Sequence, residues 1–340
     1  MKKVFAALLV PLAFGGCNFD EFPEFTTVGN FDYAQQMRNF VESISSYAAS
    51  IDSSFIIIVE DAPELVTTTG SQTAPVDTDY VNALDALAQT GLFYGGTTID
   101  RATSDAERNR LQAYLDLAQD EGAEIMVTDF ATTEANIENA YDLSDDAGYI
   151  AFVADHTELD DIPLLPDPIN NRNALNIDRL SQTQNFLNLI DTRLYSTRQD
   201  LVNDIVDTDY DVIVIDFFFN GLEYTADQIN DLKFKDNGRR RLLIATMNIG
   251  EAEDNRYYWE SFWPTNPPEW LGDAVPDNEY GYYVEYWDPE WQDIIFGNDD
   301  SYLFRIIDAG FDGVYLKSVD VYEYFEDLDP EGDDPEESED

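Results

Sequence analysis

The sequence predicts an α/β fold, a (β/α)8 TIM barrel that is circularly permuted and carries one extra strand. Three observations predict it. About nine short runs, rich in β-branched residues and apolar at successive positions, suit strands covered on both faces. Helical patterns alternate with these runs, which favours a parallel sheet with helices around it. The two ends of the chain are also complementary. The helix over residues 31–50 precedes the first strand with no strand before it, and the last strand, over 312–317, lacks a full covering helix. Setting the one beside the other closes the ring, and neighbouring termini make a permuted order feasible.

In chain order, residues 31–50 form an amphipathic helix with Met37, Phe40, Val41, Ile44 and Tyr47 on one stripe. Residues 55–60, Phe-Ile-Ile-Ile-Val-Glu, form the first buried strand. Residues 67–78 read as a polar loop, 80–88 as a short helix and 91–94 as a second strand. Ser104, with Glu107 three residues on, caps a helix over 104–122 that Gly122 stops. A strand over 123–130, a helix over 133–146 and a strand over 149–154 follow. His156, the single histidine, has no cysteine or second histidine with which to build a metal site, and reads as a structural hydrogen-bonder. Residues 162–173 are a linker rich in Pro and Asn. Beyond it, strands are expected at 185–190, 211–217, 241–249, 282–287 and 312–317, with helices near 198–206, 225–237 and 291–309. Thr225 caps the second of these helices and Gly238 stops it.

The stretch 211–263 holds the chemistry. Its two strands end near Asp216 and near Glu251 and Glu253, which places these acids on the carboxyl edge of the sheet, where parallel α/β folds bind ligands. Arg256, Tyr257, Tyr258, Trp259 and Trp263 follow at once. Carboxylates beside flat rings are what a carbohydrate site needs: acids for the glycosidic oxygen and rings for the apolar faces of sugars. Packing of the same aromatics into a core, with the acids solvated, is the competing reading.

Composition narrows the partners. The chain has 340 residues, 44% of them hydrophobic, enough for one large barrel. Against 18 Lys and Arg stand 70 Asp and Glu, a formal charge of −52, which repels nucleic acid. The acids are spread throughout, as expected of a surface adapted to high salt. No glycine-rich phosphate loop is present, and no cofactor or metal is expected. Residues 1–17 have the charged start and apolar run of a secretory signal, ending in Phe-Gly-Gly-Cys. Cys17, the only cysteine, resembles a bacterial lipoprotein processing site, so a secreted protein held on the cell envelope by a lipid at Cys17 is expected. Residues 18–30 form a tether, 31–326 a single barrel and 327–340 a disordered acidic tail. A monomer is expected.

Four blocks resemble the barrel family of the endo-α-1,4-polygalactosaminidases, glycoside hydrolase family 114. They are Val-Ile-Asp-Phe-Phe-Phe-Asn-Gly at 214–221, Ile-Gly-Glu-Ala-Glu-Asp-Asn-Arg-Tyr-Tyr-Trp at 249–259, Glu-Tyr-Trp-Asp-Pro-Glu-Trp-Gln-Asp-Ile-Ile at 285–295 and Ala-Gly-Phe-Asp-Gly-Val-Tyr-Leu at 309–316. The resemblance implies a permuted barrel in which residues 180–326 supply strands 1–5 and residues 31–160 supply strands 6–8. It also implies an α-linked polysaccharide, galactosamine-containing chains included, as substrate. Two departures stand out: the acid that the family carries at the end of its fifth strand is replaced by Lys317, and that of its seventh by Thr90.

Hydrolysis needs two carboxyl groups roughly 5–10 Å apart across the scissile bond, a role lysine cannot fill. The remaining catalytic candidates are Asp216, Glu251 and Asp320, with Glu253, Arg256, Tyr258, Trp259, Trp287, Tyr315 and Lys317 as substrate-binding candidates. The expected function is therefore a glycoside-hydrolase-like protein in which Lys317 impairs or relocates catalysis. The alternative is a non-catalytic barrel that presents glycan to a partner.

Overall fold

The computed structural model describes residue 25, residues 31–276 and residues 278–328. The expected signal segment with Cys17, all of the tether but residue 25, and the tail beyond 328 lie outside them. Eight strands form one parallel sheet: β1 (Ile56–Glu60), β2 (Ala86–Thr90), β3 (Glu124–Phe130), β4 (Ile150–Ala154), β5 (Phe186–Leu189), β6 (Val212–Asp216), β7 (Leu242–Asn248) and β8 (Gly313–Lys317). The sheet runs β4-β3-β2-β1-β8-β7-β6-β5, so chain order follows the ring and the first strand hydrogen-bonds to the last, with Ile56 opposite Gly313. The ring is nearly closed at β4 and β5, where Phe152 and Phe186 lie 5.7 Å apart between ring centroids. Inside the barrel Asn188 donates to Thr128 Oγ1 at 3.3 Å, tying β5 to β3 across that seam.

Nine helices are described: α1 (Tyr33–Ile51), α2 (Thr78–Asn82), α3 (Asp105–Asp120), α4 (Glu134–Ala147), α5 (Arg198–Val206), α6 (Ala226–Leu232), α7 (Pro289–Ile295), α8 (Tyr302–Ala309) and α9 (Val321–Leu328). Local signals set several of them. Ser104 Oγ accepts from the Glu107 amide, and Thr225 with Gln228 forms a reciprocal capping box. Helix α1 packs on α8, α9 and α2, covering the joint between β8 and β1 as the complementary ends of the sequence require. Its stripe is buried at Met37, Phe40, Val41 and Ile44. Tyr47 binds the Asn298 carbonyl at 3.2 Å, and Arg38, 1% exposed, donates to the Leu65 and Thr67 carbonyls.

The structure corrects the sequence reading in several places. The strand expected at 91–94 is instead β2, and the helix expected over 80–88 shrinks to α2. Ala86, Leu87, Ala88 and Gln89 have helical propensities that pairing with β1 and β3 overrides. Gly91, at φ +60°, turns the chain out of β2 close against Gly96. The strand expected at 282–287 is Gly281–Val284, and it joins Glu251–Glu253 and Leu271–Ala274 in an antiparallel side sheet. It lies outside the barrel, as do the short strands Phe218–Phe219, Leu222–Glu223, Glu251–Glu253 and Leu271–Ala274, so among the described residues five strands rather than the one expected stand beyond the eight, and each half of the chain contributes four barrel strands rather than three and five. The helix expected over 291–309 is broken at Gly297, φ +101°, into α7 and α8.

Candidate active site

The carboxyl ends of β6, β7, β8 and β1 build an acidic rim. Asp216 ends β6, and Arg256 Nη1 holds its two oxygens at 3.0 and 2.9 Å. The same guanidinium reaches Glu253 through Nε at 2.8 Å and Nη2 at 3.0 Å, and stacks over Phe218 at 5.3 Å. Arg256 is 9% exposed, Asp216 18% and Glu253 12%. Burial raises the Asp216 pKa, with Arg256 opposing it. Asp216 is thus an anchored carboxylate whose two oxygens are both engaged.

Lys317 ends β8, and its ammonium lies 3.5 Å from Glu60 Oε2 at the end of β1. Burial opposes its charge, but Glu60, Glu253 and Asp61 outweigh that and raise its pKa, so it remains a cation. Tyr315, expected to touch substrate, is wholly buried inside the barrel and donates to Glu60 Oε1 at 3.1 Å. Its role is to orient Glu60. Glu251 accepts from Asn278 at 2.7 Å and from Asn248 at 3.3 Å. Asp320 opens to solvent; the protein packed behind it, then Glu60 and Glu251, raise its pKa, with Lys317 opposing. Gly250 permits this convergence, since a side chain there would strike the Ser318 carbonyl and Val321.

The aromatic residues divide. Trp287 packs with Phe31, Tyr33 and Phe325, where the N-terminal and C-terminal segments of the described chain meet. Tyr258 accepts the Glu253 amide at 3.0 Å and lies edge-on to Trp291. Trp259 packs on Tyr282 and Trp263. Tyr258 and Trp259 are half-buried and pack against the core beside the side sheet. Tyr257, Phe262 and Tyr280 are the rings left exposed near the site. Glu60 was missed, although it ends a buried run as Asp216 does, and the strand-end rule applied evenly would have found it.

Beside the rim lies a cleft of about 620 Å³ between the loops after β1, β2 and β8, lined by Asp61, Gln89, Thr90, Arg101, Arg110 and Asp320 among others. Asp61 accepts from Gln89 Nε2 at 2.9 Å, from the Thr90 amide at 3.0 Å and from the Thr90 hydroxyl at 3.0 Å. Burial, then Glu60, push its pKa up to about 7. Gln89 is 6% exposed, and its Oε1 has no partner among the described residues.

Behind this cleft Asp129, 1% exposed, accepts the Phe93 and Tyr94 amides at 2.9 and 3.0 Å and so fixes the loop after β2. Burial raises its pKa to about 7 from the ordinary 3.8. Between those two values the folded chain binds a proton that the unfolded chain has released. The resulting stability is full below about pH 4 and is lost as the pH rises through about 7. Asp129→Asn is therefore expected to match the wild type near pH 4 and to exceed its stability by about 1–3 kcal/mol at pH 8. Guanidinium titrations across this range in molar salt will check it; a pH-independent difference would refute the account.

His156 donates to Asp155 at 2.5 Å and contacts Asp160, with Asp161 at 3.9 Å. Burial works against its charge, but Asp160 and Asp155 overcome this and raise its pKa to about 9. Ligand atoms of Asp155, His156 and Asp161 lie within 4.8 Å of one another, near enough for a cation, yet the imidazole is already taken up by Asp155 and Asp160, and Asp161 Oδ1 has no hydrogen-bond partner among the described residues.

With this geometry in view, residues 184–337 match the family model described as glycoside-hydrolase family GH114. An uncharacterized protein of Methanocaldococcus jannaschii is 40% identical over 181 residues, which covers 52% of this chain and 49% of that protein. An uncharacterized protein of Thermotoga maritima is 38% identical over 146 residues, covering 42% of this chain and 43% of that one. A third, from Deinococcus radiodurans, is 33% identical over 126 residues, 37% of this chain and 38% of that protein. The chain spans about half the length of the curated relatives it matches, or less.

Proposed function

We propose, from the premise that residues 184–337 are glycoside hydrolase family 114-like, that this barrel hydrolyses an α-linked polysaccharide at its carboxyl rim. Galactosamine-containing chains are the substrate class in view. The family's strand order is permuted on this reading, residues 31–160 following residues 180–326 around the ring. A lipid on Cys17 holds the barrel at a bacterial envelope. Among the described residues no helix is long and apolar enough to cross a membrane. The acidic surface serves salt adaptation, which melting with and without molar salt will test; a melting temperature indifferent to salt removes that part.

The observation that carries the reading is the convergence of Glu60, Asp61, Glu251, Glu253 and Asp320 at one end of the barrel. Each of Lys317, Asp61 and Asp320 responds to the charge of at least two of the others in this group, and a cleft large enough for sugar rings opens beside them. Glycosidic bond cleavage requires such paired carboxyl groups in a cleft.

A second reading, glycan binding without cleavage, is favoured by one feature: Asp216 is fully engaged by Arg256 while Lys317 stands where the resemblance implies an acid. Incubation with a partly deacetylated galactosamine-containing polysaccharide separates the two. Hydrolysis predicts release of reducing ends by the wild type. Binding alone predicts retention on the immobilised polymer with no release, and cleavage arising only in Lys317→Asp.

A further inference from the structure

Asp61 and Asp320 reach the 620 Å³ cleft from opposite sides of the β1–β8 joint. Asp61 sits just past the end of β1 and Asp320 three residues past β8. Their surroundings differ in the way an acid and a base require. Asp61 is recessed. Its Oδ1 takes the Gln89 amide group and the Thr90 amide, while Oδ2 meets only the Thr90 hydroxyl and keeps capacity to spare. Asp320 stands exposed, open to water. The charge of each Asp320 and Glu60 acts on Asp61, so the group is held among other acids.

Two further observations mark the cleft as built for a ligand. Gln89 is 6% exposed, lines the cleft and leaves Oε1 without a partner, a buried acceptor waiting for a donor such as a sugar hydroxyl. Asp61 and Ala62 lie at φ +54° and +52°, and Ser318 at +55°, so both loops that present the acids hold non-glycine residues in the left-handed region. Such strain is kept where the surrounding structure needs it. On the outer wall Arg110 is already engaged by Glu64 and Glu107.

We propose that Asp61 is the general acid and Asp320 the general base of this barrel, acting on a glycoside bound in the cleft between the β1, β2 and β8 loops. This rests on the hydrolytic reading above and moves its chemistry away from Asp216. The Asp61 carboxyl passes its proton to the glycosidic oxygen as the bond from that oxygen to the anomeric carbon breaks. The bonding pair stays with the oxygen, which leaves as a sugar hydroxyl. A water oxygen forms the new bond to the anomeric carbon, and its proton goes to the Asp320 carboxylate. Solvent returns both groups to their starting states, so one glycoside and one water give two sugars. The recessed carboxyl, with a pKa near 7, suits the acid, and the solvent-facing one suits activation of water.

The test is release of reducing ends from a partly deacetylated galactosamine-containing polysaccharide by the full chain and by Asp61→Asn, Asp320→Asn and Asp216→Asn, each first shown to melt as the wild type does. The assignment expects kcat to fall by about 100-fold or more in the first two, with KM little changed. Wild-type kcat should decline as pH rises through about 7, a limb absent from the residual activity of Asp61→Asn. Azide, a small nucleophile that needs no base to activate it, should restore cleavage to Asp320→Asn, read as glycosyl azide rather than as reducing ends because azide takes the place of water at the anomeric carbon. If Asp61→Asn and Asp320→Asn stay within about threefold of the wild type, well short of the loss a general acid or base brings, the assignment is overturned and the hydrolytic reading stands. If the wild type binds the polymer and releases nothing, the hydrolytic reading itself fails and the assignment with it.

Discussion

Lys235→Met is expected to lower the stability of the barrel by about 3–5 kcal/mol, because it strands a buried carboxylate. Lys235 and Asp211 are both fully buried and in direct ion-pair contact at the amino-terminal end of the sheet. Asp211 also accepts two contacts from Asn173 Nδ2, at 3.1 and 2.9 Å, and the Gln184 amide at 2.8 Å. Lys235 Nζ reaches Asn173 Oδ1 at 3.2 Å. The linker after β4 is thereby fastened to the segments that lead into β5 and β6. With the ammonium gone, the amide donors remain and soften the loss, so the lower part of the range is expected. Pairing the change with Asp211→Asn should recover much of it, since the charge that demanded compensation is also gone. Guanidinium unfolding at fixed high salt reads both; a loss below about 1 kcal/mol in the single variant would show that Asn173 and the amides alone suffice to satisfy Asp211.

Arg256→Gln is expected to be comparably disruptive, and at the functional end. Its guanidinium stands between Asp216 and Glu253, all three at least four-fifths buried. Removing it leaves two neighbouring carboxylates facing each other, at a cost of about 3–5 kcal/mol with part relieved by protonation of one of them. The expected signature is a loss that shrinks as the pH is lowered, together with loss of glycan retention on immobilised polymer. A lysine in its place should recover charge but not the fork that meets both acids, and so should rescue incompletely. Full rescue by lysine would mean that charge alone, rather than the bidentate geometry, organises the rim.

Much of the scaffold was legible in the residues. Thr225 and Ser104 cap the helices they were expected to cap because the capping interaction spans only three residues. Helix α1 closes the ring because an amphipathic stripe without a preceding strand has one bare face of the sheet left to cover. The second strand was not legible. Ala86–Thr90 has neither β-branched enrichment nor alternation, and its state is set by the two strands it lies between. The aromatic residues after Arg256 misled for a related reason. Their sequence says that they are flat and apolar, but the side sheet decides that Trp259 and Tyr258 pack inward while Tyr257 and Tyr280 stay out.

The sequence by itself determined an alternating parallel barrel and a rim rich in carboxylates, because strand burial, helix caps and strand-end acids are encoded within a few residues of one another. Only the tertiary structure decided which acids act together. Asp216 is held by a guanidinium 40 positions later, Lys317 by a glutamate from the other end of the chain, and Asp61 meets the cleft beside Asp320. A carboxyl group's protonation and reach depend on the neighbours that folding brings within a few ångströms, and those neighbours are remote in sequence.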